Sequence, residues 1–291
     1  MAALIRRTLK FLVERVSASL PQTVPDGGSL ILCYHNVVQD AEVGLGDSSL
    51  HLAASTFERQ LVLAATAGDV VSLPELLANH GRPGRRIAVT FDDAYRGCIK
   101  LGLPLCTSAR VRPAVFVAPG LLGSFPPWDV ASQQGHWTEA DRTSFLSEGG
   151  VATARQKNGE RAGLPDNYGI ATESELLEAI EHHAFDIANH TKRHVNLAQT
   201  ELQCVFDEIR DCEATLAAKF PDRHMPRSLA YPYGKAPRIS AAEEVDHGFL
   251  VSGGWLSPRD PAVGHAIPRL NIPAGISNWR FAAQLRGRLI G

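Results

Sequence analysis

The stretch Arg86-Ile87-Ala88-Val89-Thr90-Phe91-Asp92-Asp93 decides the fold of this chain. Its first six residues are rich in β-branched and aromatic side chains and predict a buried strand, with two carboxylates directly after it. Side chains alternate between the faces of a strand, so Asp92 and Asp93 point the same way only if the chain turns there. With such a turn, one carboxylate can bind a metal ion while the other stays free as a base.

A pair of histidines follows a second apolar run. The run is Ala184-Phe185-Asp186-Ile187-Ala188, and His190 and His194 come directly after it. The two histidines are four residues apart, so on a helical turn they would share a face and could reach one cation. Two imidazole nitrogens and one carboxylate oxygen suit zinc or a similar divalent ion, and three protein ligands leave a position open for water. The pattern therefore predicts a catalytic metal site.

A third segment, Arg-Ser-Leu-Ala-Tyr-Pro-Tyr-Gly at 227–234, is again an apolar run that ends in a turn. Taken alone, a carboxylate pair after a strand is usually a helix N-cap or a turn former, and a single His-x-x-x-His is weaker evidence still. The presence of all three segments in one chain favours a common site.

These segments resemble the motifs of the polysaccharide deacetylase family, the NodB-homology domain of carbohydrate esterase family 4. The family motifs read T-F-D-D-G, H-[ST]-x-x-H and a third that ends in P-Y-G or P-F-G. Here they read T-F-D-D-A at 90–94, H-T-K-R-H at 190–194 and Y-P-Y-G at 231–234, in the same order, and the resemblance spans 30–273. It implies an α/β fold, a distorted (β/α) barrel of about seven strands.

The resemblance also implies a ligand set and a base. Asp93, His190 and His194 would hold one divalent metal ion, with Zn2+ favoured and Co2+, Ni2+ or Mn2+ as alternatives. Asp92 would be the general base. The activity implied is that of a metal-dependent hydrolase that removes an N-acetyl group from an amino sugar in a saccharide, glycolipid or sugar precursor.

Further residues are expected to form the rest of the pocket. The backbone N–H near Tyr233 would help to hold the oxyanion. Tyr231 and Pro232 would contact the substrate, and Trp255, which follows a strand, would wall the pocket. Trp128 and Trp137 could stack on sugar rings, although aromatic residues in a long insertion more often anchor it to the body of the protein.

The chain departs from the common form of the family in its third motif and near its end. Ala230 stands where the common third motif has an Arg that steadies the base, and Arg269 is the candidate to replace it. The 267–272 segment lacks the late His that serves as general acid, whereas the first predicted strand ends in Tyr-His. This resembles a rearranged branch of the family that trims exopolysaccharide acetyl groups, so His35 is the candidate acid and His265 its rival. The alternative for His35 is a hydrogen-bonded core residue.

Strand and helix patterns alternate along the chain, as expected for a barrel. Predicted strands lie near 29–34, 69–72, 86–91, 112–117, 184–188, 227–231 and 248–252, and predicted helices near 55–67, 94–109, 173–182 and 199–219. Five candidates follow strands, which is where active sites of barrels gather: His35, Asp92, Asp93, His190 and Tyr233. An insertion is expected near 119–172, within one domain that spans 23–291.

Residues 1–22 predict an amphipathic helix. Apolar residues from Leu4 to Leu20 recur at helical spacing, and basic residues interrupt any continuous apolar stretch, which argues against a signal peptide or a membrane span. The helix would pack on the barrel or, through residues 1–20, rest on an anionic membrane or contact a lipid-linked substrate.

Composition limits the class of protein. Of 291 residues 44% are hydrophobic, enough for one large barrel, and the net charge of -2 argues against nucleic-acid binding. Five cysteines at irregular spacings form neither a disulfide framework nor a Cys-x-x-Cys zinc pattern, so a cytoplasmic location is expected. A peripheral position at the inner membrane face is the less favoured alternative that the N-terminal helix leaves open. The alternatives to a deacetylase are a catalytically weak saccharide-binding protein on the same barrel and another amide hydrolase such as a deformylase.

Overall fold

The computed structural model describes residues 23–135, 161–237, 244–262 and 264–287. In chain order its strands are β1 (Ser29–Tyr34), β2 (Asn36–Val38), β3 (His51–Ala53), β4 (Asp69–Val70), β5 (Arg86–Phe91), β6 (Ala114–Val117), β7 (Asp186–Asn189), β8 (His224–Ala230), β9 (His247–Phe249), β10 (Gly264–Ile267) and β11 (Leu270–Asn271). Its α-helices are α1 (Ala54–Ala67), α2 (Leu73–Ala78), α3 (Leu103–Ser108), α4 (Pro127–Gln133), α5 (Glu173–His182), α6 (Leu202–Lys219) and α7 (Asn278–Leu285).

The main sheet of the described residues contains nine strands in the order β10-β9-β8-β7-β6-β5-β1-β11, with β4 also paired to β5. Every pairing between these strands is parallel. The sheet curls into a half-barrel, and the α/β fold class predicted from the sequence is confirmed. All seven predicted strands belong to this sheet.

Both faces of the sheet are covered, as the continuous apolar runs of its parallel strands require. Alternate residues of β1, β5 and β6, such as Leu30 and Leu32 of β1, pack outward in one cluster with residues of α1, α5, α6 and α7. Strand residues on the inner face include four alanines, two isoleucines and two phenylalanines: Ile31, Ala88, Ala114, Phe116, Ala188, Ala230, Phe249 and Ile267. Polar residues then follow at the carboxyl ends of the strands.

Several elements differ from the sequence-based expectation. The predicted helix over 94–109 begins as a π-helix at Cys98–Gly102 and continues as α3. The short strands β10 and β11 were not predicted, because two to four residues on either side of Pro268 carry no periodic signal.

Two predictions fall wholly or partly outside the described residues. These are the amphipathic helix at 1–22 and the middle of the insertion, including Trp137. The described part of the insertion contains α4 and returns to the body of the protein through an antiparallel bridge between Tyr95 and Ile170. Among the described helices, none has the length and apolar character needed to cross a membrane.

Candidate metal centre

The carboxyl ends of β1 and β5 bring three potential ligands together. The two strands pair in register, with Cys33 opposite Thr90 and Tyr34 opposite Phe91. The backbone N–H of Asp92 continues the ladder by donating to the carbonyl oxygen of Tyr34 at 2.9 Å. As a result the polar atoms of Cys33, His35 and Asp92 all lie within 4.8 Å of one another.

Left-handed backbone conformations concentrate at these strand ends. Five non-glycine residues at the site have positive φ values: Asp93 at 70°, Ala94 at 57°, Thr191 at 63°, His194 at 58° and Tyr233 at 58°. Such conformations cost free energy for residues with a Cβ and are found where the surrounding structure holds a functional site. The turn at Asp93 is the one that the sequence requires for two adjacent carboxylates to reach the same pocket.

Asp93, His190 and His194 form the predicted triad. The Oδ1 atom of Asp93 lies 3.3 Å from His190 Nε2 and 3.2 Å from His194 Nε2, and all three side chains are buried. None of these contacts has hydrogen-bond geometry, so Asp93 Oδ1 is a buried acceptor without a hydrogen-bond partner among the described residues. Burial raises the pKa of Asp93, but the two histidines hold it well below the usual range, so the carboxylate stays ionised. Three buried donor atoms that converge without bonding one another fit a divalent cation.

The orientation of His190 directs its Nε2 atom towards Asp93, where a metal ion would bind. Its Nδ1–H donates to the carbonyl oxygen of Ala230 at 2.8 Å, so in the neutral imidazole the lone pair is on Nε2. Histidines that bind metals are commonly oriented in this way through their second ring nitrogen. Ala230 therefore contributes to the site through its backbone carbonyl. In the sequence it was notable only because it stands where the common third motif has an Arg.

The loop that carries the two histidines corrects one sequence-based expectation. Residues 190–194 do not form a helical turn, because Thr191 and His194 are left-handed. The ring centroids of His190 and His194 nevertheless lie 4.8 Å apart. The buried carboxylate of Glu208 in α6 holds the loop by accepting from the backbone N–H of Arg193 at 2.8 Å.

Arg269 lies beside Asp92, as predicted for the replacement of the missing Arg. Its two terminal nitrogens donate to the two carboxylate oxygens of Asp92, each at 2.7 Å, in a bidentate pair that is almost fully buried. Arg269 also donates to Leu250 O and to Thr90 Oγ1. Burial raises the pKa of Asp92, but the Arg269 guanidinium, His190 and His35 together outweigh burial and lower the pKa to about 2. Asp92 is thus held as an ionised carboxylate.

Sequence reasoning missed one neighbour of the base. The buried Cys33 thiol donates to Asp92 Oδ2 at 3.5 Å. The signal was available, because a Cys two residues before the Tyr-His strand end must share a face with His35. Burial raises the pKa of Cys33 well above its usual range, so the group is a neutral thiol.

His35 is half-buried and faces the same cluster as Asp92. Burial lowers its pKa, while Asp92 and Asp93 act in the opposite direction. The structure therefore brings the candidate acid to the candidate base. The rival His265 lies in β10, at one edge of the sheet.

The predicted substrate-contacting residues divide into two groups. Tyr233 lies at the site, with its ring centroid 4.9 Å from that of His194, and Pro232 is buried at the start of the same turn. Tyr231 packs instead in an outer cluster with Val195, and the half-buried Trp255 donates its indole N–H to Gln284 O in α7. Alternation along the strand turns the Tyr231 side chain away from the inner face that Ala230 occupies, and the substrate contacts of Tyr231 and Trp255 stay predictions.

Comparison with known proteins places the chain in a family. The family model described as polysaccharide deacetylase matches residues 79–251, which include all three triad residues and Asp92. This chain belongs to the polysaccharide deacetylase family. No curated protein matches the sequence.

Solved structures of deacetylases share the fold of this family member. A deacetylase from Streptococcus pyogenes, PplD in complex with acetate, is 17% identical with a TM-score of 0.59, covering 87% of this chain and 96% of that one. IcaB from Ammonifex degensii is 18% identical with a TM-score of 0.57, covering 90% and 98%. A polysaccharide deacetylase from Bacillus cereus is 14% identical with a TM-score of 0.63, covering 89% and 69%.

Proposed function

We propose that this protein is a metal-dependent hydrolase that removes the N-acetyl group from an amino sugar. Membership of the polysaccharide deacetylase family supports a carbohydrate deacetylase. The observation that carries the metal dependence is the convergence of Asp93, His190 and His194 around one buried point, with ligand atoms that do not bond one another. A divalent ion bound there would polarise the acetyl carbonyl and lower the pKa of water.

The residues around the triad supply the proton transfers. Asp92 is kept ionised by Arg269 and accepts a proton from the attacking water. At the same time the water oxygen forms a bond to the acetyl carbon. The backbone N–H near Tyr233 stabilises the oxyanion that develops on the carbonyl oxygen. His35, in its protonated form, donates a proton to the amide nitrogen as the C–N bond breaks. The products are acetate and a free amino sugar.

The proposed substrate class is an N-acetylated amino sugar in a saccharide, a glycolipid or a sugar precursor. Two structural neighbours bear on the class: one is a deacetylase in complex with acetate, and another is described as a de-N-acetylase from Aggregatibacter actinomycetemcomitans. Zn2+ is the first candidate for the ion, with Co2+, Ni2+ and Mn2+ behind it, because two imidazoles and one carboxylate suit these cations. We also propose a cytoplasmic location, peripheral to the inner membrane face through residues 1–20.

The test measures metal content and acetate release on the same protein preparations. Wild-type protein is reconstituted with each candidate ion and assayed on a panel of N-acetylated amino sugars and their oligomers. His190→Ala should lower metal occupancy and activity together, because it removes a ligand. Asp92→Asn should keep the metal and lose roughly 10²–10⁴-fold in turnover, since a positioned base contributes about that factor.

Three outcomes would contradict the proposal. Stoichiometric metal without acetate release from any sugar would indicate a saccharide-binding protein. Release of formate from N-formyl sugars in preference to acetate would indicate a deformylase. Equal metal loss in Asp92→Asn and His190→Ala would show that the base and the ligand are assigned to the wrong carboxylates.

A further inference from the structure

A second buried carboxylate lies next to the metal centre and takes no part in the proposed reaction. Asp129 in α4 is fully buried. Its Oδ1 atom accepts from His51 Nε2 at 2.8 Å and from the backbone N–H of Asp47 at 2.7 Å, and its Oδ2 atom accepts from the Tyr95 hydroxyl at 2.8 Å. A buried carboxylate with donors on both oxygens is stable only in a defined arrangement of its partners.

The directions of these hydrogen bonds follow from the chemistry of the groups. The amide nitrogen of Asn36 lies 3.0 Å from His51 Nδ1 and can only donate, so Nδ1 accepts and the proton is on Nε2. The indole N–H of Trp128 donates to the Tyr95 oxygen at 2.7 Å, which leaves the Tyr95 proton for Asp129. The Asn36–His51 chain and the Trp128–Tyr95 chain therefore both end by donating to Asp129. Each of the two side-chain oxygens at position 129 must accept a hydrogen bond.

The network reaches two of the three metal ligands. Tyr95 follows Asp93 by two residues, directly after the left-handed pair Asp93 and Ala94. Its hydroxyl bond to Asp129 fixes the far end of that strained turn. Trp128 lies beside Asp129 in the chain, and its ring centroid is 4.9 Å from that of His194 at an interplanar angle of 39°.

His194 depends on packing for its orientation. Its Nδ1 atom is buried and has no hydrogen-bond partner among the described residues, whereas His190 is oriented by Ala230 O. Histidines that bind metals usually gain their orientation from a hydrogen bond on the second nitrogen. The rings of Trp128 and Tyr233, each 4.9 Å away, supply the constraint on His194 instead.

We infer that Asp129 is a positioning residue for the metal centre, which holds Asp93 through Tyr95 and His194 through Trp128. The inference rests on the metal site of the proposed function. It explains why a carboxylate with donors on both oxygens is retained in a fully buried position. An asparagine of the same shape would present its amide hydrogens to one of the two sets of donors and leave that side of the network broken.

The test compares the binding of Co2+ and Zn2+ by the full-length wild-type chain and by Asp129→Asn, using competition with a chelator. We expect metal affinity to fall by roughly 10–100-fold in the variant, the usual effect of removing a group that orients a metal ligand. The visible absorption spectrum of the Co2+ form should also change, because it reports the geometry of the ligands. Tyr95→Phe, which removes the hydroxyl that donates to Asp129 and accepts from Trp128, should also lower the metal affinity and change the Co2+ spectrum.

Asp186→Asn is the matched control. Asp186 is also a buried carboxylate, paired with Arg112 at the opposite end of the strand that leads to His190. This variant should lose stability but keep the metal affinity and the Co2+ spectrum of the wild type. The comparison separates an effect on the metal site from the general cost of changing a buried carboxylate.

The outcomes distinguish this inference from the proposed function. If the wild type binds metal, and Asp129→Asn and Tyr95→Phe bind it with unchanged affinity and spectrum, only the role of Asp129 is overturned. If Asp129→Asn does not fold, Tyr95→Phe alone decides between these results. If the wild type binds neither ion, the metal dependence of the proposed function fails, and the inference fails with it.

Discussion

Replacement of Arg269 by Met tests the buried ion pair beside the metal centre. Arg269 and Asp92 are 0% and 2% exposed, and their two terminal contacts measure 2.7 Å each. Methionine has a similar length and can fill the space against Phe116, whose ring the guanidinium now covers at 5.1 Å. The substitution therefore removes the charge with little change in packing and leaves Asp92 buried without its counter-ion.

The expected cost follows from what the variant leaves unpaired. Removing one partner of a buried ion pair costs about 3–5 kcal/mol, because the other charge stays in a medium of low dielectric constant. Leu250 O and Thr90 Oγ1 also lose a donor, and each unsatisfied buried group costs roughly 1–3 kcal/mol when water cannot reach it. We expect Arg269→Met to lower the free energy of unfolding by at least ~3 kcal/mol.

The assay is urea unfolding of metal-free protein at pH 7, followed by circular dichroism. Lys219→Met serves as control, since both side chains of the Lys219–Glu173 pair lie at the surface, 38% and 42% exposed. The control should lose at most about 1 kcal/mol. Adding Asp92→Asn to Arg269→Met should restore ~1–3 kcal/mol, as contacting residues couple by about this amount.

Equal losses in Arg269→Met and Lys219→Met would refute the reasoning, because burial would then make no difference to the cost. A double variant less stable than Arg269→Met alone would also refute it. In that case Asp92 would stabilise the fold through contacts other than its pair with Arg269.

Three further predictions concern other parts of the chain. His35→Gln should lower turnover of an N-acetyl amide by roughly 10²–10⁴-fold but affect an aryl ester much less, because that leaving group needs no proton; equal losses in assays of both substrates would exclude a role as acid. Burial raises the pKa of Glu175, but the backbone N–H of Thr172, with Lys100 and Arg96, lowers it to about 2. The stability that Glu175 contributes should therefore be present above pH ~4.5 and lost as the pH falls towards 2. The free energies of unfolding of wild type and Glu175→Gln should differ by about 1–2 kcal/mol at pH 7, and this difference should shrink as the pH falls. A difference that stays constant with pH would contradict the lowered pKa of Glu175. Deletion of residues 1–20 should leave hydrolysis of a soluble acetylated sugar unchanged and lower binding to anionic vesicles, as sedimentation with the vesicles would show.

Much of the site was predictable because its signals are local. An apolar run followed by polar residues marks a strand end whatever the rest of the chain does, and this pattern located Asp92, Asp93, His190 and His194. The family resemblance then assigned ligand and base among them. Alternation along β5, which places Ala88, Thr90 and Asp92 on one face, follows from the strand geometry alone.

Other features depended on contacts between distant parts of the chain. Arg269 was a candidate from the sequence, but only the fold shows that it meets Asp92 across 177 positions. The helical turn expected for the two histidines was wrong because contacts with α6 hold a left-handed loop. Asp129, His51 and Tyr95 gave no signal, since each belongs to a different element and none carries a motif. A hydrogen bond between such residues depends on strand register, helix placement and loop path together, and a sequence pattern records only the preferences of neighbours along the chain.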